Sequence, residues 1–164
     1  MKHIKIAERE RNMSLNKKDK TAGQPRGSFC TFQVDHLYFG VEVLKVQEVI
    51  RYQRMTRVPL APSVVRGIIN LRGQLVTAID LRRRLGLPTE SDRQPMNVVI
   101  RGNDGSVSLL VDEIGDVLEV DNELFEPPPE TLQGVPREMI RGAYKLDGRL
   151  LLVLDTNRVI EAAA

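Results

Sequence analysis

Tryptophan is absent from this 164-residue chain, cysteine occurs once and histidine twice. A single thiol, Cys30, cannot close an internal disulfide, and with only His3 and His36 it supplies neither a zinc ligand set nor a Cys/His nucleophile pair. No apolar run approaches the roughly 18 residues of a membrane helix, and the opening MKHIKIAERER has no apolar signal core. The expectation is a cytoplasmic protein with no direct membrane insertion. Four Phe and three Tyr offer little for stacking bases, and the chain beyond residue 28 has a net charge of about −3, so no nucleic-acid partner is expected. Paired carboxylates are scarce too. Apart from Asp112-Glu113 and Asp121 to Glu123 the acids stand singly, and GNDG lacks the glycines and the Lys-Ser/Thr of a phosphate-cradling loop. No catalytic residue, cofactor or metal is assigned, and the chain is not expected to be an enzyme.

What is present is an ordinary globular composition, 41% hydrophobic and 28% charged, on a length that suits one domain or two small ones sharing a core. Residues 1–28 hold eight Lys/Arg against three Asp/Glu with little apolar periodicity, which predicts a flexible basic tail. From Phe29 onward, short apolar runs alternate with turn signals, the pattern of an all-β chain. Four hairpins are expected. FCTFQV and LYFGVEV turn at Asp35-His36, VVIRG and SVSLLV at Asn103-Asp104-Gly105, and two more turn at Gly73 and Gly148.

Those last two hairpins repeat. Val65 to Leu85 laid on Ile140 to Ile160 at an offset of 75 gives seven identities without a gap, among them Gly67/Gly142, Gly73/Gly148 and Asp80/Asp155. A weaker echo at an offset of 68 matches Val46 with Ile114, Glu48 with Asp116 and Val49 with Val117. The chain reads as one β unit used twice, each a curled five-stranded sheet ending in a short helix, LRRRLG or TNRVI. Asp80 and Asp155 stand just before those helices, where a carboxylate caps exposed N–H groups. VPLAPS and EPPPE read as rigid connectors. Arg72, at a hairpin tip where the other repeat has Asp147, marks a position at which the copies have diverged toward different contacts. The matched apolar positions Val46, Val49, Ile114 and Val117 are either core or the walls of a groove that takes a partner helix.

The run VVRGIINLRGQLVTAIDLRRRLG, with LLVDEIGDVLEV, closely resembles the signature of the CheW family of chemotaxis coupling proteins, over about Phe29 to Ile160. The resemblance implies two intertwined five-stranded SH3-like β-barrels with short helices. It places the first at about 29–95 plus a C-terminal segment and the second at about 96–155, within a domain spanning 29–164. It also implies a non-enzymatic scaffold, recruited to membrane-associated receptor arrays, with two partners. The cytoplasmic tip of chemoreceptors would meet Val46, Glu48, Gly67, Arg72, Val98, Ile114 and Val117. The regulatory domain of the CheA histidine kinase would meet Val49, Met55, Arg57 and Val58, with a second contact near Thr131 and Leu132. The same resemblance leaves open the CheW-like domain of a CheV-type regulator.

Overall fold

The computed structural model describes residues 26–89, 92–132 and 134–161. Ten strands and two short helices follow in chain order: β1 Arg26–Val34, β2 Leu37–Glu42, β3 Val46–Ile50, β4 Val65–Leu71, β5 Gln74–Asp80, α1 Leu81–Arg84, β6 Met96–Gly102, β7 Gly105–Val111, β8 Glu113–Asp121, β9 Ile140–Leu146, β10 Arg149–Leu154 and α2 Thr156–Glu161. Most of the expected tail, residues 1–25, lies outside the described residues. Its last three, Arg26 to Ser28, belong to β1, paired with β8 from Arg26 to Asp121 onward.

All four expected hairpins form, each because the turn residues accept the required positive φ. Asp35 sits at φ +56°, Arg72 and Gly73 at +54° and +84°, Gly105 at +125° and Gly148 at +78°. Both helices begin as expected. Asp80 Oδ1 accepts from the Arg83 N–H and Asp155 Oδ1 from the Arg158 N–H, each at 3.2 Å.

The strands form two five-stranded sheets, β8-β1-β2-β10-β9 and β3-β6-β7-β5-β4. With β1–β5 as one repeat and β6–β10 as the other, replacing each strand by its counterpart turns one sheet order into the other. Yet neither sheet comes from a single repeat. Each takes its first two strands from one copy and its last three from the other, joined by the parallel pairs β2·β10 and β5·β7. This corrects the expected partition at 95/96. One barrel is residues 46–111, and the other combines 26–42 with 113–154. The physical reason is edge pairing: a repeat's first hairpin finds its neighbours only in the other repeat, so the copies exchange strands instead of folding apart.

Irregularities repeat as well. Arg66 and Arg141, 75 residues apart, are the extra residues of equivalent bulges in β4 and β9. Beside each bulge, a crossing segment pairs with the strand, Thr56 with Ile68 and Glu126 with Ala143. Gly67 and Gly142 permit that approach. A Cβ on Gly67 would stand 2.6 Å from the Thr56 carbonyl oxygen, and one on Gly142 would strike the Phe125 ring and the Glu126 carbonyl.

The largest apolar cluster spans both sheets, and each sheet also encloses a smaller one, around Phe29, Tyr144 and Leu151 in one and Ile50, Ile69 and Val76 in the other. In the shared cluster Phe32, Val34, Phe39 and Val41 of one sheet pack with Val46, Val98, Ile100 and Leu109 of the other. Full burial of such side chains contributes about 1.5–3 kcal/mol each. Between the sheets, Arg82 of α1 donates through Nε and Nη2 to both oxygens of Asp112, at 3.0 and 2.5 Å, with Asp35 Oδ1 3.5 Å from Nη1. Asp112 Oδ2 also accepts the Asp35 backbone N–H at 2.7 Å. The Asp112 hydrogen bonds hold the Arg82 guanidinium pKa above its ordinary value.

Candidate functional site

β3 and β4 are the opposite edges of their sheet, so closing it into a barrel brings these edges together. At that seam Arg72 Nη2 donates to Glu48 Oε2 at 2.7 Å. The partners differ in exposure, with 64% of the Arg72 side chain open to solvent against 7% of Glu48. The turn that carries Arg72 is fixed by Asn70 Oδ1, which accepts the Gly73 N–H at 2.9 Å. A bulge at Gln47 re-aims β3 so that Glu48 pairs with Val99 of β6. An arginine at a loop tip would otherwise sample many rotamers. Here the buried carboxylate holds it in place and leaves most of its surface available.

The other residues expected at the receptor face divide. Val46 and Val98 are buried in the shared core and offer no surface to a partner. Gly67 is buried against Thr56 and serves the strand crossing described above. Ile114 and Val117 are half-buried on β8, packed on the rim of the same core. Of this set only Arg72, Ile114 and Val117 therefore offer surface to a partner, with Glu48 buried behind Arg72 and Val46 and Val98 in the cluster on which Ile114 and Val117 pack.

Val49, expected at the kinase face, is likewise core. Met55, Arg57 and Val58 come together in a groove of ≈890 Å³ formed by the β3–β4 link, with Tyr52 and Leu60 also in its lining. The link is anchored at its start by Asn97, whose Nδ2 donates to the Arg51 carbonyl at 3.1 Å, and Asn97 Oδ1 accepts from Ser108 at 2.8 Å. Leu60 is fully exposed at φ +64°, a conformation that costs a non-glycine residue about 1–2 kcal/mol and gives nothing back to the fold. Thr131 and Leu132 lie on the corresponding link of the other barrel, Thr131 exposed and Leu132 half-buried against the core. They are not part of this groove.

Sequence reasoning passed over three features. Arg51 and Arg54 stand beside Arg57 on the β3–β4 link, and none of the three has a carboxylate partner among the described residues. Their spacing at every third residue was the available signal. Leu124 and Phe125 are exposed on the β8–β9 link. Asp35 sits 2.6 Å from His36 Nδ1, and that hydrogen bond leads the causes, with the Arg82 charge contributing, that hold its carboxyl below the ordinary range.

Comparison with known proteins places these features. The family described as the CheW-like domain matches residues 28–164. Chemotaxis protein CheW of Klebsiella aerogenes is 31% identical over 145 residues, 87% of each chain, and that of Bacillus subtilis is 34% identical over 131 residues, 79% of this chain and 84% of the relative. Chemotaxis protein CheV3 of Helicobacter pylori is 23% identical over 127 residues, 75% of this chain but 41% of its own length. The crystal structure of the scaffolding protein TtCheW from Thermoanaerobacter tengcongensis shares the fold, with a TM-score of 0.77 at 24% identity over 84% of this chain and 94% of that one. Two strand-swapped five-stranded barrels, a matching family signature and relatives aligned over most of both lengths agree: the chain belongs to the CheW family of chemotaxis scaffold proteins.

Proposed function

We propose that this chain is the adaptor that joins the cytoplasmic tips of chemoreceptors to the regulatory domain of the CheA histidine kinase, acting in the cytoplasm at receptor arrays. The observation that carries the reading is the Arg72–Glu48 pair: an exposed cation, preset by a buried carboxylate, at the seam of one barrel, with Ile114 and Val117 half-buried on the cluster that holds Val46 and Val98. Such a constellation suits an amphipathic helical tip, which brings apolar residues at i, i+3, i+4 and i+7 and a polar flank for the guanidinium. Ile114 and Val117 form the apolar rim, and Val46 and Val98 support it from below.

The kinase regulatory domain meets the second surface, the groove of Met55, Arg57 and Val58, and a further kinase contact falls at Thr131 and Leu132 on the other barrel. Separate receptor and kinase surfaces are what a coupling role requires, because both partners must bind at once. No chemistry on substrate is part of this reading.

The test is co-sedimentation of the chain with receptor cytoplasmic fragments and kinase. Arg72→Ala should release the receptor fragment while the kinase stays bound, and Val58→Glu should do the reverse. If both variants lose both partners together, the two-surface reading is wrong.

A further inference from the structure

Gly102 to Pro136, which covers β8 and its link to β9, holds nine Asp/Glu and no Lys or Arg. On that link Leu124 and Phe125 are 59% and 41% exposed, flanked by Glu123 and Glu130. The Phe125 ring rests against Tyr144, with centroids 5.3 Å apart, so the fold uses only part of it. The start of β1 lies against the start of this link. Arg26 Nε donates to Asp121 Oδ1 at 3.1 Å, Arg26 Nη1 is 4.0 Å from Glu119, and a Cβ on Gly27 would stand 3.0 Å from Asn122 Oδ1. Because β1 and β8 run antiparallel with Arg26 opposite Asp121, the chain before Arg26 and the link after Asp121 leave the sheet at the same end. The chain before Arg26 has the complementary charge. Residues 1–25 contain seven Lys/Arg against three Asp/Glu, and two apolar residues, Met13 and Leu15, stand just ahead of Lys17, Lys18 and Lys20.

We propose that the basic N-terminal segment docks on the β8–β9 link of its own chain. Met13 and Leu15 cover Leu124 and Phe125, and Lys17, Lys18 and Lys20 face Glu123 and Glu130. Glu126 is left out because Lys145 lies 3.6 Å from it. Arg26, set on Asp121 and Glu119, is the first basic-to-acidic contact of the series and is already in place. Reach is not limiting: Lys20 is six residues from Arg26, about 20 Å of extended chain, and Leu124 is three residues from Asp121. A short tether sets an effective concentration of order mM, so contacts too weak to hold a free peptide suffice within one chain. The segment takes this link and not its counterpart because Val49 to Ile79, which covers the β3–β4 link, carries five arginines and no acid. The docking stands apart from the adaptor reading. Its consequence rests on that reading: the docked segment screens the kinase contact at Thr131 and Leu132 and must be displaced before that contact forms.

Paramagnetic relaxation in the full chain tests the docking with no partner present. The native thiol, Cys30, is buried, so a nitroxide attached to Asn12→Cys reports on the segment. In about 10 mM salt the label should broaden the amides of Leu124, Phe125 and Glu130 and leave those of Arg54 and Leu60 sharp. The effect should vanish in about 1 M salt, where the screening length has shrunk from about 30 Å to about 3 Å. A segment variant, Lys17→Glu with Lys18→Glu and Lys20→Glu, should reduce the broadening by about tenfold or more, because like charges then face each other. A link variant, Glu123→Lys with Glu130→Lys, should do the same, and as both side chains are exposed the strand amides should keep their parent shifts. Combining the two sets in one chain should restore the broadening, because the charges are then exchanged and not lost. Tenfold dilution should change nothing, since the contact lies within one copy. Broadening that grows with concentration would place the contact between copies and overturn the proposal. So would broadening indifferent to salt and to both sets of charges, which a tether alone produces, or a segment whose signals respond only to added phosphatidylserine-containing vesicles.

Discussion

Removing the Arg72 side chain strips a charge-assisted hydrogen bond from a carboxylate that has almost no access to water. Two limits bracket the cost. Exposed ion pairs contribute about 0–1 kcal/mol, and breaking a buried pair by deleting one partner costs about 3–5 kcal/mol. This pair lies between them, because solvent reaches the guanidinium but not the carboxylate. Arg72→Ala should therefore cost about 1–3 kcal/mol. For a chain of this size each kcal/mol shifts the melting temperature by about 2–4 °C, so the drop should be readily measured. Glu48→Gln removes the buried charge and keeps its shape, and Arg72 then returns to water. The double variant should be more stable than the sum of the single changes predicts, with a coupling of about 1–2 kcal/mol in thermal or urea unfolding. Binding separates the structural from the recognition role. In the double variant the fold is largely recovered while the receptor fragment, followed by calorimetry, should remain unbound. Arg72→Ala with an unchanged melting temperature would refute the energetic reasoning, and a double variant that regains receptor binding would refute the recognition role.

Gly67→Ala should destabilise by about 1–3 kcal/mol through its clash with the Thr56 carbonyl, and Gly142→Ala should do likewise at the Phe125 ring, both read by urea denaturation. Arg82→Lys keeps the charge but loses the two-pronged contact with Asp112, so it should lower the melting temperature, and full retention of stability would count against the tie between the sheets. Because the folded-state pKa of Asp35 lies below its unfolded value, its contribution is present above about pH 4 and lost as the pH falls through the folded value. Asp35→Asn, which tolerates the positive φ, should therefore be less stable than the parent at pH 7, with the difference closing on acidification below about pH 4. Since strands are exchanged between repeats, unfolding should be one transition, with equal calorimetric and van't Hoff enthalpies, and two resolved transitions would contradict the shared core.

Half of the strand pairing was legible in the sequence, and it is the local half. Asp35, Gly73, Gly105 and Gly148 mark their turns by conformational need, so the hairpins β1·β2, β4·β5, β6·β7 and β9·β10 follow from neighbouring residues. The other pairings, β1·β8, β3·β6, β2·β10 and β5·β7, each join one repeat to the other across long stretches of chain. No short-range signal encodes them. A repeat that folds on itself and one that exchanges strands have the same turns, the same alternation and the same offset of 75, which is why the expected boundary at 95/96 fell within a single barrel.

The same exchange explains which site residues were misjudged. Apolar residues at matched positions of two packed units satisfy both a core and a groove, and alternation alone does not separate these cases. Strand swapping brings Val46, Val49 and Val98 inward to the one cluster that serves both sheets, while Ile114 and Val117, the counterparts of Val46 and Val49 on the equivalent edge strand β8, stay at its rim. Arg72 was identifiable for a different reason. It breaks the repeat at a turn whose backbone requirements are otherwise preserved, so the turn itself does not call for an arginine there. The Glu48 that fixes it was not visible as its partner, since the two meet only when β3 and β4, the two ends of one sheet, close on each other. Divergence within a repeat therefore points to the exposed member of a site, and barrel closure supplies the buried one.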